Sequence, residues 1–206
     1  NGDTAFWDKL QQTGYETVST EVFAKMADTQ TPQGILTVLE QPVYDLTQLL
    51  EQPDPLFLML ENLQDPGNLG TIIRAGEGAG ITGVVMSSDT ADIYNPKVIR
   101  STMGAVFRVP FVYVEDLKAA LLQLKDHGVH LYAAHLKGQN SYDQEDYTES
   151  TGFLIGNEAQ GLSDEIASLA DTYVKIPMAG SVESLNAAIA SSVLMFEVAR
   201  QRRNQK

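Results

Sequence analysis

Leu56-Phe-Leu-Met-Leu60 is a run of five apolar residues with no polar position to turn toward water. A strand of that kind is buried on both faces, which is the condition of a parallel sheet covered by helices on each side. The chain beyond it keeps repeating the theme. Helix is expected over 68–79, strand over 83–86, helix over 96–103, strand over 111–114, helix over 115–125 and strand over 129–134. After an acidic loop over 139–150 come strand 152–155, helix 163–170, strand 173–176 and a last helix from 187. Strands alternating with helices over 56–206 predict an α/β domain with a parallel sheet and helices on both faces. The last helix carries Ala188, Ile189, Val193, Leu194, Met195, Phe196 and Val198 with hardly a polar face. It is therefore expected to be buried, in a core or against a second copy of the chain.

Upstream, strand 15–18, helix 20–27 capped by Ser19 or Thr20, a Thr31-Pro-Gln-Gly34 turn and strand 35–39 read as the end of a small α/β domain over 1–40. Pro42, Pro53 and Pro55 surround a short Leu-rich turn, so 41–55 is expected as a linker. The chain opens on Asn1 without an initiator methionine, which predicts a trimmed N-terminus.

The length of 206 residues suits one sizeable core with a small appendage. No apolar run approaches the roughly 20 residues that span a bilayer, and the N-terminus lacks a signal-peptide pattern, so a cytoplasmic location without membrane contact is the default expectation. With no cysteine there is no disulfide framework, thiolate metal site or cysteine nucleophile. His127, His130 and His135 cluster around one expected strand without ligand spacing, and no metal is expected. The net charge of −13 argues, taken alone, against a nucleic-acid partner. Its distribution softens that, because residues 1–65 hold 11 acids against 2 bases. Between Ile93 and Val114 there is no acid, yet Lys97, Arg100 and Arg108 are present, and the tail adds Arg200, Arg202, Arg203 and Lys206.

In open α/β sheets ligands sit beyond the carboxyl ends of the strands. Three strand exits carry loops rich in Gly, Pro and Asn: Glu61-Asn-Leu-Gln-Asp-Pro-Gly-Asn68, Gly156-Asn-Glu-Ala-Gln-Gly161, and Pro177 to Ser184. Together they supply Asn68, Arg74, Glu158, Ser184 and Asn186, which could converge on one pocket. Asn68 reads as a helix N-cap, with Arg74 about 9 Å farther along the axis. The plain alternative is a cap and a surface arginine. Glu158 suits a basic partner or backbone donors, and equally a structural cap. Ser184 and Asn186 stand where a helix begins, a place where free N–H groups and the positive end of the dipole collect. Gly76-Glu-Gly-Ala-Gly80 mimics a dinucleotide fingerprint but ends a helix, so it reads as a C-cap and turn.

Taken together, these segments resemble the SpoU, or TrmH-like, family of RNA ribose 2′-O-methyltransferases of the SPOUT class. Asn68-Leu-Gly-Thr-Ile-Ile-Arg74 is similar to its first motif, Gly156-Asn-Glu-Ala-Gln-Gly161 to its second, and Ile176-Pro-Met-Ala-Gly-Ser-Val-Glu-Ser-Leu-Asn186 to its third. Asn95 to Pro110 also resembles a family segment, and the likeness runs from Leu56 to Arg203. The resemblance implies a parallel sheet ending in a deep C-terminal trefoil knot, preceded by the remnant of a small RNA-binding domain. It implies S-adenosylmethionine held in the knot by Gly156, Ile176, Met178 and Leu185. It also implies a homodimer with the site completed across the interface, and a substrate that is ribosomal RNA or, alternatively, transfer RNA. The family assigns the ribose hydroxyl to Arg74, with Asn68, Glu158, Ser184 and Asn186 organising the site.

An arginine holds its proton too tightly to serve as an ordinary base, so fixing a phosphate or stabilising a developing alkoxide is an equal reading for Arg74. Lys97, Arg100 and Arg108 are candidates for RNA backbone contacts. Two rivals remain at this stage. A nicotinamide- or flavin-dependent oxidoreductase needs a glycine-rich turn directly after the first strand, where 62–67 has the wrong character. A non-catalytic RNA-binding module would have no need for the complete set of five polar residues.

Overall fold

The computed structural model describes residues 4–27 and 29–205, with side chains from Trp7 onward. The described residues divide into two compact units that meet in sequence between Pro42 and Val43.

The first unit holds helices α1 (Thr4–Thr13) and α2 (Thr20–Met26). Ser19 caps α2, its Oγ accepting from the Val22 N–H at 3.3 Å, as the sequence suggests. The strands expected at 15–18 and 35–39 do not form among the described residues. Both stretches run without ladder partners, and Tyr15, Val18, Ile35, Leu36, Val38 and Leu39 are exposed. Apolar alternation supplies a strand's face but not the neighbour whose N–H and C=O groups complete it. Residues 1–3 and 28 of the expected N-terminal piece lie outside the described residues.

The second unit starts with α3 (Leu46–Leu50), capped by Asp45. This helix lies inside the stretch read as linker, and its Leu46, Leu49 and Leu50 are buried in the core. There follow β1 (Leu56–Leu60), α4 (Pro66–Ala79), β2 (Gly83–Ser87), α5 (Pro96–Thr102), β3 (Phe111–Val114) and α6 (Leu117–Asp126). The chain continues through β4 (His130–Ala134), β5 (Asn140–Ser141), β6 (Thr151–Ile155), α7 (Asp164–Ala167), β7 (Thr172–Lys175) and α8 (Ala187–Arg203). The sheet has seven strands in the order β3-β2-β1-β6-β4-β7-β5, every pairing parallel.

Period-2 alternation splits β1 between two cores. Leu56, Leu58 and Leu60 join Leu69, Ile72 and Ile73 of α4, Val98 of α5 and Leu194, Met195 and Val198 of α8. Phe57 and Met59 point the other way, to α3, to Leu121 and Leu124 of α6 and to Ile166 of α7. Helices therefore cover both faces, as five consecutive buried residues in β1 require. The short β5 falls in the acidic loop, where two polar residues extend the ladder beside β7.

Helix α4 is fixed at both ends by its own caps. Its N-cap is Asp65, whose Oδ1 accepts from the Asn68 N–H at 2.8 Å, and Pro66 opens the first turn. Asn68 thus lies inside the helix and is not its cap, which frees its side chain for other partners. At the far end Gly80 adopts φ +78°, the left-handed C-cap expected of the glycine cluster.

The approach of α4 to α5 depends on Gly70, where an added Cβ would stand 1.7 Å from Ser101 Oγ and 2.9 Å from the Val98 carbonyl oxygen. Alanine gains about 0.5–1 kcal/mol over glycine as a helix former, whereas overpacking costs about 1–3 kcal/mol, so packing should win. Gly70→Ala is expected to lower the urea midpoint at unchanged m value. An unchanged or raised midpoint would contradict this packing.

Candidate functional site

The register aligns Leu60 with Met86 and with Ile155, so the exits of β1, β2 and β6 open at one level of the sheet. From the β6 exit Glu158 reaches back to the start of α4. Its Oε1 accepts from the Asp65 N–H at 2.9 Å and from Asn68 Nδ2 at 2.9 Å, and its Oε2 accepts from the Gln64 N–H at 3.1 Å. Asn68 Oδ1 in turn accepts from Asn186 Nδ2 at 2.9 Å. Asn186 is the N-cap of α8, its Oδ1 accepting from the Ala188 N–H at 2.9 Å and the Ile189 N–H at 3.3 Å. The direction of the chain is forced from both ends. A carboxylate only accepts and helix N–H groups only donate, so both amides have a single workable orientation. Residues separated by 90 and 118 positions are thereby joined in one relay.

Removal from water pushes the Glu158 carboxyl up, but donation by Asn68 and by the Gln64 and Asp65 backbone outweighs it and holds the group below its ordinary value. It is ionised at neutral pH.

Beside the relay lies a cavity of about 420 Å³, walled by the exits of β4, β6 and β7 and the start of α8. Gly156, Ile176, Met178 and Leu185 line it, as do Glu158 and Ser184. Asn68 and Asn186 do not line it. At Gly156 a Cβ would come within 2.1 Å of the Gly161 carbonyl carbon and of the Leu162 nitrogen, so only glycine lets these two chain segments cross so closely. Among the described residues the backbone of 177–185 makes no turn or cap hydrogen bond, and Met178, Glu183, Ser184 and Leu185 of this stretch line the cavity.

Arg74 is set apart. It is exposed, two turns into α4, makes no hydrogen bond or ion pair among the described residues, and does not line the cavity. The expected RNA-contacting cations differ from one another. Lys97 Nζ lies 3.8 Å from Asp65, and Arg108 makes a forked pair with Glu77, its Nη2 donating to Oε2 at 3.0 Å, while Arg100 has no such partner among the described residues. The C-terminal arginines are largely internal fasteners. Arg200 grips Glu197 at 2.7 and 2.8 Å, and Arg202 donates to the carbonyls of Tyr147, Asp54 and Glu149. Of the histidines, His127 contacts the Gln123 carbonyl, His130 contacts Thr172, and His135 accepts from the Lys137 N–H at the cavity wall.

Two organising residues escape the sequence reading. Asn157 ties its loop to the β1 exit, its Nδ2 donating to the Asn62 carbonyl at 2.8 Å while its Oδ1 accepts from the Ala159 and Gln160 N–H groups. Glu61 accepts from the Ser163 N–H at 2.8 Å and the Ser163 hydroxyl at 2.5 Å. The Asn-Glu pair at 157–158 carries the first signal only in retrospect, since an Asx turn is common in any loop.

The sequence signature of the SpoU rRNA Methylase family matches residues 55–196, and the chain belongs to that family. It is 38% identical, over 89% of its length, to an uncharacterized tRNA/rRNA methyltransferase of Synechocystis sp., of which it spans 66%. It is 33% identical, over 88% of its length, to the 23S rRNA (guanosine(2553)-2′-O)-methyltransferase RlmP of Bacillus subtilis, of which it spans 71%. Among solved structures, the AdoMet-bound rRNA methyltransferase from Sinorhizobium meliloti superposes with a TM-score of 0.81 at 33% identity, covering 88% of this chain and 70% of that one.

Because the folded-state value of Glu158 is lowered, its contribution is complete above the ordinary carboxylate value of 4.5 and fades as pH falls through the lower one. Glu158 is exposed, so solvent screening reduces its contribution, and Glu158→Gln is expected to destabilise by no more than about 1 kcal/mol at pH 7, with the gap from wild type constant down to about pH 5 and shrinking below it. A gap that widens on acidification in a denaturation series would contradict the ionised relay.

Proposed function

We propose that this domain transfers the methyl group of S-adenosylmethionine to a ribose 2′-hydroxyl in RNA. The observation that carries this reading is the cavity at the crossing of the three strand exits, bounded by an ionised Glu158 that Asn68 and Asn186 hold in place. The residues present fit the cofactor. The cavity lies within the ~300–1,000 Å³ typical of small-molecule sites, Ile176, Met178 and Leu185 offer apolar wall for an adenine, and the unbonded backbone of 177–185 can recognise polar edges. When bound, the cofactor supplies an electrophilic methyl on a positively charged sulfur. Transfer would exchange the S–CH₃ bond for an O–CH₃ bond, with the hydroxyl proton passing to solvent water.

The protein's task is alignment and charge. Gly156, Ile176, Met178 and Leu185 would hold the cofactor, and Glu158 would supply negative charge to the cavity that receives its sulfonium. Ser184 offers a hydroxyl at the cavity mouth, while Asn68 and Asn186 keep Glu158 oriented. Arg74 faces the alkoxide that forms as the proton leaves, or the neighbouring phosphate. Its exposed place suits a site completed by a second chain. Arg74 and Gly78 share one face of α4, and the Phe196 ring of α8 lies over Gly78, its Cζ 3.5 Å from where a Cβ would be. Phe196 (50% exposed) and Ile189 (52%) form an apolar stripe with the partly buried Val193, which a homodimer would cover next to Arg74.

Lys97, Arg100 and Arg108 are proposed to meet the RNA backbone, Lys97 and Arg108 after exchanging acidic partners for phosphate. The order β1-β6-β4-β7 and the lining of one cavity by both 156–162 and residues of 176–185 are consistent with a C-terminal knot. Similarity to the relatives covers more of the chain than 43–206 alone provides, so part of 1–40 is shared with them, and we assign it to a small RNA-binding domain. Ribosomal RNA is the favoured substrate because the B. subtilis and S. meliloti relatives are named for it. Transfer RNA is the alternative.

Arg74→Ala is expected to cut ribose methylation by at least about 100-fold while S-adenosylmethionine affinity stays within about twofold. Equal losses in both would contradict the division of roles. Phe196→Asp is expected to turn a dimer into a monomer in analytical sedimentation. A wild-type chain that sediments as a monomer at micromolar concentration would refute the shared site.

A further inference from the structure

A second, smaller cavity of about 150 Å³ opens at the exits of β1, β2 and β6. Glu61, Asn62, Asp89, Asn157, Gln160 and Ser163 line it, and its wall of Asn157, Gln160, Gly161 and Leu162 is shared with the larger cavity. One loop thus separates the two spaces. The smaller has little more than a third of the volume of the larger, the scale of a single planar base.

Its polar groups divide into those already engaged and those that are free. Both oxygens of Glu61 accept from Ser163, and both ends of the Asn157 amide are used within the loops. These build the wall. Asp89 receives the Ser87 hydroxyl on Oδ1 at 2.5 Å, and its Oδ2 has no partner among the described residues. Asn62 accepts through Oδ1 from Gln64 Nε2 at 2.5 Å, while its Nδ2 and the side-chain amide of Gln160 have no partner among the described residues. The backbone under this arrangement is held as well. The Asn62 N–H donates to Ser87 Oγ at 2.8 Å, and Gln64 Nε2 also donates to the Asp89 carbonyl at 2.6 Å, fixing Asn62 at φ +52°.

A carboxylate acceptor beside amide donors is a complement to one base edge in particular. Guanine presents two adjacent N–H donors, at N1 and N2, next to the O6 acceptor. Uracil offers one N–H flanked by two carbonyl oxygens that would face the carboxylate, and adenine and cytosine turn a ring-nitrogen lone pair toward it. We infer that this second cavity receives the base of the target nucleotide and selects guanine, with Asp89 accepting from N1–H and N2–H and Asn62 or Gln160 donating to O6. The inference rests on the methyltransferase reading for its biological meaning, but the binding chemistry stands independently of it.

The test uses the whole chain in two measurements. Side-chain amide resonances of Asn62 and Gln160 are followed by nuclear magnetic resonance during titration with guanosine 5′-monophosphate and with uridine 5′-monophosphate. The guanine nucleotide is expected to saturate these shifts at a concentration at least about fivefold lower. Asp89→Asn is expected to erase the difference while S-adenosylmethionine affinity stays within about twofold. Absent shifts, equal shifts, or a preference that survives in Asp89→Asn would overturn the inference. The second measurement identifies the methylated nucleoside formed in unmodified rRNA, with 2′-O-methylguanosine expected. Formation of 2′-O-methyluridine instead would overturn guanine selection while sustaining the methyltransferase reading. No methylated nucleoside, with the nucleotide preference intact, would sustain the base site and remove that reading.

Discussion

The carboxylate of Glu158 is the point on which the functional end of this fold depends. Three donors from the β1 exit converge on it, and one of them, the Asn68 amide, passes the constraint on to Asn186 at the start of α8. Loops at strand ends are ordinarily the least determined parts of an α/β domain. Here charge-assisted bonds to Glu158 tie two of them together, and the neutral Asn186–Asn68 amide bond adds the third, in directions dictated by chemistry. The same ionised group that organises the loops also borders the cavity, so structural order and local negative potential have one source. That potential favours a cationic ligand such as a sulfonium.

The scaffold places this group by burying the sheet on both faces. Because β1 feeds two cores, its exit cannot shift without disturbing α4 and α8 on one side and α3, α6 and α7 on the other. Helix α8 does two things at once. Leu194, Met195 and Val198 lock it onto the sheet, and Ile189 and Phe196 leave an apolar stripe facing away. Its last turn is anchored by Arg202 to three carbonyls, including that of Asp54 just before β1. The two ends of the domain are therefore fastened together close to where the sheet begins.

The parallel sheet could be read from the sequence because burial on both faces leaves an unbroken apolar run, and the meeting of the three loops because Gly, Pro and Asn gather at strand exits. Other features depend on partners that are distant in sequence. Asn68 looks like a helix cap until Asp65-Pro66 is seen to take that position, and the Asp-Pro pair is a signal the sequence does carry. Helix α3 hides between prolines, because five residues are too few to show a period. The apolar stretches 15–18 and 35–39 had the composition of strands without neighbours to pair with. Cations at 97, 108, 200 and 202 looked available because their acceptors lie on other elements or on backbone carbonyls, which composition does not reveal.

The most direct test is calorimetric titration of the intact chain with S-adenosylmethionine, with NAD as the control. Saturable heat at one site per chain is expected with S-adenosylmethionine, weakened in Glu158→Gln, and none with NAD. Silence with S-adenosylmethionine up to about 1 mM, where even a binding free energy of only about −4 kcal/mol would register, would contradict the proposed function.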